Sequence, residues 1–366
     1  MTQDRNQAVD VVRAVALIGI AVVNLPFMAQ PMETMLVTPA AAVDRVALYL
    51  VELVFQAKFF LLFSFVFGWG MEIQIQAAQR AGASFARRFS RRLAMLALFG
   101  ALHAVLVFSG DILLLYAMLG LITWAVRGAT SRRLLLIAGG MIPVAALSLM
   151  VLAVLFAEIP LPPAHPNLGG SYTETVLTRW RDWPQTFFFL LLFQGHLAFA
   201  AFLAGIVAAR NGLFESGNAL AKNLRRKVLP LLVLGLTINA LYVASGAFGE
   251  ASPVLSSLGF CSLALGGPIL ATAYLGLILS LSDRVRFPRF FLLAGRNSLS
   301  CYVTQGLLAG LLFGGYGLGL FGTLGNLTLL ALSFAVTFLA MLPVVAFASR
   351  FGHGPLELLL RKVTYG

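Results

Sequence analysis

Charged residues are scarce in this chain: they make up 11% of its 366 residues, whereas 60% are hydrophobic. A soluble domain carries roughly 25% charged residues, because its exterior faces water. The shortage of charge therefore excludes an ordinary soluble fold. At about 20 apolar residues per crossing, the length suits around ten membrane spans joined by short loops, in a single transmembrane domain comprising residues 1–366.

Cysteine is also rare. Cys261 and Cys301 both stand inside apolar runs, without CxxC or metal-ligand spacing. This excludes a disulfide framework and a zinc site, and we expect both thiols to be inert packing groups and no metal to be bound.

Acidic residues are few, 14 against 26 Lys and Arg, which gives a net charge of +12. In a soluble protein that excess would favour nucleic-acid binding, but here the basic residues stand in short stretches between apolar runs. Most of them fall in alternate loops and at the chain end, the pattern of the positive-inside rule. The sequence therefore predicts both termini on the cytoplasmic face and no nucleic-acid partner.

The apolar runs themselves predict an all-α bundle of about ten transmembrane helices. They lie near residues 10–29, 46–70, 91–109, 111–127, 133–157, 186–209, 228–248, 254–281, 290–313 and 326–349. The one sizeable outer loop, residues 158–185, contains Trp180 and Trp183, and we expect it to shape an outward-facing entrance.

Ionisable groups inside a bilayer are costly, so each is a functional candidate. In the first predicted helix, Asp10, Arg13 and Asn24 fall within an arc of about 60°, which forms one polar stripe. The alternative is an i,i+3 pair of Asp10 with Arg13 at the membrane surface, where the arginine reaches the headgroups. Asn24 is too deep for that explanation.

Lys58 lies near the middle of the second predicted helix, beside three phenylalanines. It is a candidate for polarising a substrate carbonyl. The alternative is a structural pairing with a buried carboxylate, Glu52 or Asp111.

His103 falls in the outer half of the third predicted helix, and Ser109-Gly110-Asp111 then makes a tight turn into the fourth. A histidine oriented by an aspartate is the usual general-base arrangement. The alternative is a structural core histidine. His196, beside Gln194 and Gly195, is a second-rank candidate.

Gly306, Gly310 and Gly314 follow one another at four-residue spacing in the ninth predicted helix, with Tyr302 and Gln305 nearby. Small residues at this spacing allow close helix contact. The sequence predicts a packing face, through which an oligomer could also form.

Several stretches together resemble the DUF418 family of bacterial inner-membrane proteins, the YeiB-like group. The resemblance implies a multi-pass protein of the bacterial cytoplasmic membrane. It rests on Val9-Asp10-Val11-Val12-Arg13 through Asn24, Lys58-Phe59-Phe60 through Gly68, Arg91-Arg92 through His103 and on to Tyr116, Gly295-Arg296-Asn297-Ser298 through Gln305, residues 315–320, and Gly354-Pro355-Leu356-Glu357.

The N-terminal part of that family resembles transmembrane acyltransferases, including the heparan glucosaminide acetyltransferase group. The resemblance thus divides the domain into an acyltransferase-like part, residues 1–150, and a DUF418-like part, residues 186–366. Two features depart from the acetyltransferase pattern: Ala14 stands where the Asp-x-x-Arg-Gly opening has glycine, and no histidine follows Asn24.

The resemblance and the buried charges predict acyl transfer from cytoplasmic acyl-CoA to an extracytoplasmic hydroxyl or amine. No cofactor would be permanently bound, acyl-CoA would be a co-substrate and membrane lipids would be partners. Arg13 and Arg296, with Asp10, would hold the CoA phosphates; Lys58 and Asn24 would polarise the thioester; His103 would deprotonate the acceptor while Asp111 orients it.

Two other functions fit the same residues. In a transporter or exporter of a small or lipid-like molecule, the buried charges would serve as proton or substrate sites. In a structural or signalling membrane protein, they would only hold helices together.

Overall fold

The structure is a computed structural model that describes residues 7–35, 37–158, 166–247 and 253–366. These residues form helices and connecting turns, and no strand occurs among them. We number the α-helices in chain order: α1 (Gln7–Ala29), α2 (Met32–Met35), α3 (Ala42–Leu50), α4 (Phe59–Arg80), α5 (Phe85–Leu106), α6 (Leu113–Val126), α7 (Ser131–Glu158), α8 (Tyr172–Leu190), α9 (His196–Arg210), α10 (Ala219–Arg226), α11 (Val228–Ala247), α12 (Pro253–Arg284), α13 (Arg289–Arg296), α14 (Ser298–Phe313), α15 (Asn326–Phe351) and α16 (Pro355–Tyr365).

Eight helical spans within the described ranges are long and apolar enough to cross a membrane, and α6 and α14 are shorter apolar helices. Large hydrophobic side chains are exposed along several of these spans, for example Leu136, Leu229 and Phe338. In a membrane, such outward-facing groups contact lipid rather than water. The predicted all-α bundle of membrane-length helices is therefore confirmed, while the sidedness of its ends stays a prediction.

The second predicted span is not one continuous helix. After α3, residues Val51–Phe55 form a π-helical turn, and Ala57 then adopts a left-handed backbone with φ of 62° before α4 begins. The stretch is apolar, as predicted, but hydropathy does not detect a change in backbone hydrogen bonding. The break lies in the first half of a 39-residue span, Ala42–Arg80.

The predicted outer loop, residues 158–185, is partly wrong. Ser171 and Glu174 form a reciprocal capping box that starts α8 at Tyr172, so the second half of this stretch is helical. The charges in this part made it resemble a loop in hydropathy. Helix α8 then continues through a π-helical turn, Leu191–Gly195, into α9. Residues 159–165 of the predicted loop lie outside the described part of the chain.

Helices α4 and α9 cross in backbone contact. A Cβ atom on Gly68 would overlap the carbonyl oxygen of Phe202, and one on Gly205 would overlap that of Phe65. Helix α1 in turn packs against α4, α13, α14 and α15, which places it at the centre of the bundle. These contacts bring the polar residues of α1, α5 and α14 towards one another.

Candidate functional site

His103 and Asp111 form a buried pair. His103 lies in the last turn of α5, and Asp111 lies in the short connection to α6. The Nδ1 atom of His103 is 2.8 Å from Oδ2 of Asp111, and the two side chains are 3% and 0% exposed. The other carboxylate oxygen of Asp111 accepts the backbone N–H of Leu113 at 2.7 Å, at the start of α6. Both oxygens are thus engaged, which fixes the carboxylate and, through it, the imidazole.

The second nitrogen of this imidazole, Nε2, is buried and has no hydrogen-bond partner among the described residues. His103 lines a narrow cavity together with Asn24, Tyr302 and Gln305. The cavity has room for a water-sized molecule. The ring of Tyr302 stands 5.0 Å from that of His103, centroid to centroid. An imidazole held by a carboxylate on one side, with its other nitrogen unbonded beside a cavity, is the arrangement of a general base.

A second cavity adjoins the first, and both include Met28 and Phe108 in their walls. The polar side chains around the second cavity are Ser109, Arg179 and Tyr316. It lies at the end of the bundle where α1 ends and α8 begins, the predicted outer side. We call it the outer chamber and the first the inner chamber. Substrate could approach His103 from the outer side along these two chambers.

The absence of side chains at Gly306 and Gly310 of α14 leaves space for the side chains of His103 and Tyr316. A Cβ on Gly306 would lie 2.7 Å from Nε2 of His103, and one on Gly310 would lie 2.6 Å from the hydroxyl oxygen of Tyr316. Gly314 also packs against the ring of Tyr316. The predicted packing face is therefore present but faces the interior of this chain. An oligomer contact through this face stays a prediction, although within this chain the face already packs against His103 and Tyr316.

Lys58 lies apart from the chambers and is not among the residues that line them. Its side chain is fully buried at the break after α3, where Nζ donates to the carbonyl oxygen of Glu52 at 2.9 Å. The hydroxyl of Tyr274 donates to the carbonyl of Val54 at 2.8 Å. Interrupted helices inside a membrane need such donors, because no water serves the carbonyls there. The structural alternative with Glu52 as partner fits this geometry, through the Glu52 backbone.

Asp10, Arg13 and Arg296 meet at the predicted cytoplasmic end. Asp10 is 1% exposed; its carboxylate lies 2.7 Å from Nε of Arg296 and 3.9 Å from Nη1 of Arg13. Gly295 packs directly on the Asp10 backbone, where any Cβ would overlap the carbonyl oxygen. The two guanidinium groups remain 24% and 36% exposed. We call this group the inner cluster. Among the described residues it carries two positive charges and one negative charge, which favours the binding of anionic groups.

A further contact joins two signature stretches that lie 57 residues apart. One carboxylate oxygen of Glu357 accepts the backbone N–H groups of Leu299 and Ser300 at 2.9 and 3.0 Å, and the other bonds to the Ser300 hydroxyl. Asn297 accepts the N–H of Gly354 at 2.6 Å. We call this contact the C-terminal clasp. It fixes the N-terminus of α14, the helix that carries Tyr302 and Gln305.

Three residues that line the chambers were not predicted as site residues from the sequence: Tyr302, Gln305 and Arg179. The spacing in the ninth predicted helix indicates only helix packing for Tyr302 and Gln305. Arg179 falls in the predicted loop, where a positive charge is in contact with water and gives no sign of a site. The capping-box residues Ser171 and Glu174 are the signal that could have placed Arg179 inside a helix. His196, by contrast, follows the π-helical turn and lines neither chamber. No group of three or more His, Cys, Asp or Glu that could hold a metal occurs within the described ranges.

Comparison with known proteins finds similarity to one family and to two bacterial proteins. Residues 208–366 match the family described as "Protein of unknown function (DUF418)". The uncharacterized protein YxaH of Bacillus subtilis (strain 168) is 27% identical over 399 residues, which cover 100% of this chain and 95% of YxaH. The uncharacterized protein YeiB of Escherichia coli (strain K12) is 29% identical, over 99% of this chain and 96% of YeiB. No solved structure matches. The chain is therefore similar to the DUF418 family over its C-terminal part, and similar from end to end to YxaH and YeiB.

Proposed function

We propose that this protein is a transmembrane acyltransferase of the bacterial cytoplasmic membrane, moving an acyl group from cytoplasmic acyl-CoA to a hydroxyl or amine that enters from the outer side. The observation that carries the proposal is the His103–Asp111 pair, whose unbonded Nε2 atom lies beside the inner chamber. Most buried polar groups with a structural role are hydrogen-bonded, and although Nδ1 of His196 also has no partner among the described residues, only His103 of the two lines a chamber.

In the reaction, Nε2 of His103 accepts the proton of the acceptor hydroxyl as its oxygen attacks the thioester carbonyl carbon. A C–O bond forms and the C–S bond breaks, and the imidazolium returns the proton to the departing CoA thiolate. Asp111 holds the imidazole in the tautomer that leaves Nε2 as the acceptor, and it stabilises the imidazolium. Asn24, on the wall of the same chamber, is the candidate donor to the thioester oxygen. Lys58 has no part in this scheme.

The inner cluster suits the CoA end of the donor. Its two partly exposed guanidinium groups can bind phosphate oxygens, and Arg13 precedes Asn24 by eleven residues on the same helix. At 1.5 Å per residue, that separation corresponds to roughly 16 Å along the axis. A donor with its phosphates at the inner cluster and its thioester at Asn24 would therefore lie along α1. The inner chamber holds only a water-sized molecule, so α1 and α14 would have to separate for the acyl group to enter.

We expect Arg296→Gln to raise the KM for acyl-CoA about tenfold with little change in kcat, since one charge-assisted hydrogen bond to phosphate contributes roughly 1.5–3 kcal/mol. Initial rates over a range of acyl-CoA concentrations measure this. Arg289→Gln is the matched control, because Arg289 is an exposed arginine at the other end of the same short helix, α13. An equal KM for both variants would contradict the role of the inner cluster.

The direct test uses purified protein in proteoliposomes, with radiolabelled acyl-CoA on one side and a mixture of polyols and amino sugars on the other. We expect labelled, acylated acceptor to form and free CoA to be released on the donor side. The proposal would be refuted if no acylated product formed and no CoA were released with any acceptor. Vesicles with protein inserted in both orientations make the result independent of the predicted topology.

Transport is the second candidate, and the break between α3 and α4 favours it. Interrupted helices near the bilayer centre form the binding sites of many transporters. Here the break holds a buried lysine beside Glu52, one of whose carboxylate oxygens has no hydrogen-bond partner among the described residues. In the proteoliposome experiment, proton-dependent passage of an unmodified solute, without product, would favour transport.

A further inference from the structure

Arg179 is a buried arginine to which the described residues offer no counter-ion. Its side chain is 6% exposed, although it lies two turns into α8 in the predicted outer part of the membrane. Within the part of the chain that the structure describes, no carboxylate lies within ion-pair distance of it. Buried charges inside membrane proteins are normally paired, because desolvation is costly. The guanidinium therefore needs a partner that the described residues do not supply.

The hydrogen bonds of Arg179 leave most of its donors unused. Its Nη1 atom donates to the carbonyl oxygen of Leu106 at 2.9 Å, the one hydrogen bond that the described residues give this guanidinium. An arginine at the C-terminal end of a helix can be a simple cap, here of α5. However, Tyr172 also donates to that carbonyl, at 3.2 Å. A guanidinium has five N–H donors, so capping alone does not account for a buried arginine.

The remaining donors belong to a residue that lines the outer chamber. Ser109 and Tyr316 line it as well, so two hydroxyl groups accompany one positive charge. The rest of the wall is largely apolar, with Phe27, Met28, Val107 and Phe313 among its residues. A cation and hydroxyl groups inside an apolar wall favour an anion, because the low dielectric strengthens the charge interaction.

The position of this chamber relates it to the base. Arg179 binds the carbonyl of Leu106, three residues beyond His103 on α5, which is about 4.5 Å of helix rise. The two chambers also share Met28 and Phe108. An anionic group bound at Arg179 would therefore lie a few bonds from a hydroxyl or amine that reaches His103.

We propose that Arg179, Ser109 and Tyr316 form an anion-binding site for a carboxylate or phosphate group on the acceptor. This assignment of the acceptor class rests on the proposed acyl transfer, whereas anion binding itself does not. The acceptor is then a hydroxyl- or amine-bearing organic anion, either a small soluble molecule or the headgroup of an anionic lipid.

The test measures binding without acyl-CoA, using the full-length protein in phosphatidylcholine nanodiscs. We expect glycerol 3-phosphate, but not glycerol, to raise the thermal unfolding midpoint of the wild type. In Arg179→Gln the affinity should fall about 10- to 100-fold, as expected for the loss of charge-assisted hydrogen bonds. Arg181→Gln, an exposed arginine two residues further along α8, is the matched control and should bind like the wild type.

Nanodiscs that also contain phosphatidylglycerol distinguish the two sources of the anion. If the lipid headgroup is the ligand, phosphatidylglycerol should by itself raise the unfolding midpoint of the wild type and of Arg181→Gln, but not that of Arg179→Gln. In the same two proteins it should also abolish the response to glycerol 3-phosphate. If a soluble anion is the ligand, the response to glycerol 3-phosphate should persist in both lipid mixtures.

Ser109→Ala and Tyr316→Phe each remove one hydroxyl and should weaken binding several-fold, which keeps the proposal testable if Arg179→Gln does not fold. Equal binding by Arg179→Gln and the wild type would overturn the site, as would a wild type that binds neither glycerol 3-phosphate nor phosphatidylglycerol. Anion binding without any acyl transfer would leave the site standing and refute the proposed reaction.

Discussion

His103→Ala is expected to lower the rate of acyl transfer by about 10²- to 10⁴-fold, the usual contribution of a general base. The loss should appear in kcat rather than in the KM for acyl-CoA, because the inner cluster is untouched. The measurement is the initial rate of CoA release with saturating donor and acceptor. His196→Ala is the control, since His196 is another histidine of the bundle but lines neither chamber.

Asp111→Asn tests whether the His103–Asp111 pair is needed for activity without removing a hydrogen bond that the fold uses. Asparagine keeps the shape of the side chain and can still accept the Leu113 N–H, but it no longer fixes the productive tautomer of His103. We expect a well-folded protein with strongly reduced kcat. If His103→Ala and Asp111→Asn were both as active as His196→Ala, the pair would be structural and the proposed mechanism would be wrong.

Gly68→Ala is expected to destabilise the bundle by about 3 kcal/mol, near the upper end of the cost of overpacking a core. The added methyl group would overlap the Phe202 carbonyl oxygen, and a helix backbone cannot turn aside as a flexible side chain can. Gly205→Ala should behave alike, because its Cβ would meet the Phe65 carbonyl. The measurement is the unfolding midpoint of the purified protein in detergent.

The matched control for these glycines is Gly139→Ala on α7. No heavy atom lies within 4 Å of a Cβ at that position, and alanine favours a helix over glycine. We expect an unchanged or slightly higher midpoint. A midpoint for Gly68→Ala equal to that of Gly139→Ala would mean that α4 and α9 do not cross in backbone contact.

The sequence allowed the helices and the His103–Asp111 pair to be predicted for physical reasons. Long apolar runs must become helices in a membrane, and a Ser-Gly-Asp turn brings residues eight positions apart into reach. The helix break before Lys58 could not be predicted, because it depends on Ala57 adopting a left-handed backbone, which hydropathy does not detect.

Long-range contacts were the other limit. Asp10 could be paired with Arg13 from helical spacing, but its closer partner Arg296 lies 286 residues away. The contact of Glu357 with the start of α14 is likewise tertiary. The stretches around Asn297 and Glu357 both belong to the family resemblance in the sequence, and the fold shows that they are in contact.

The C-terminal clasp also bears on the order in which the molecule is assembled. During synthesis, α14 precedes Glu357, so the N–H groups of Leu299 and Ser300 meet their carboxylate partner only after α15 has been made. The start of α14, the helix that carries Tyr302 and Gln305, therefore acquires this contact only after residues of α16 have been made. A chain that stopped before Glu357 would contain α14 but would lack this contact at the start of that helix.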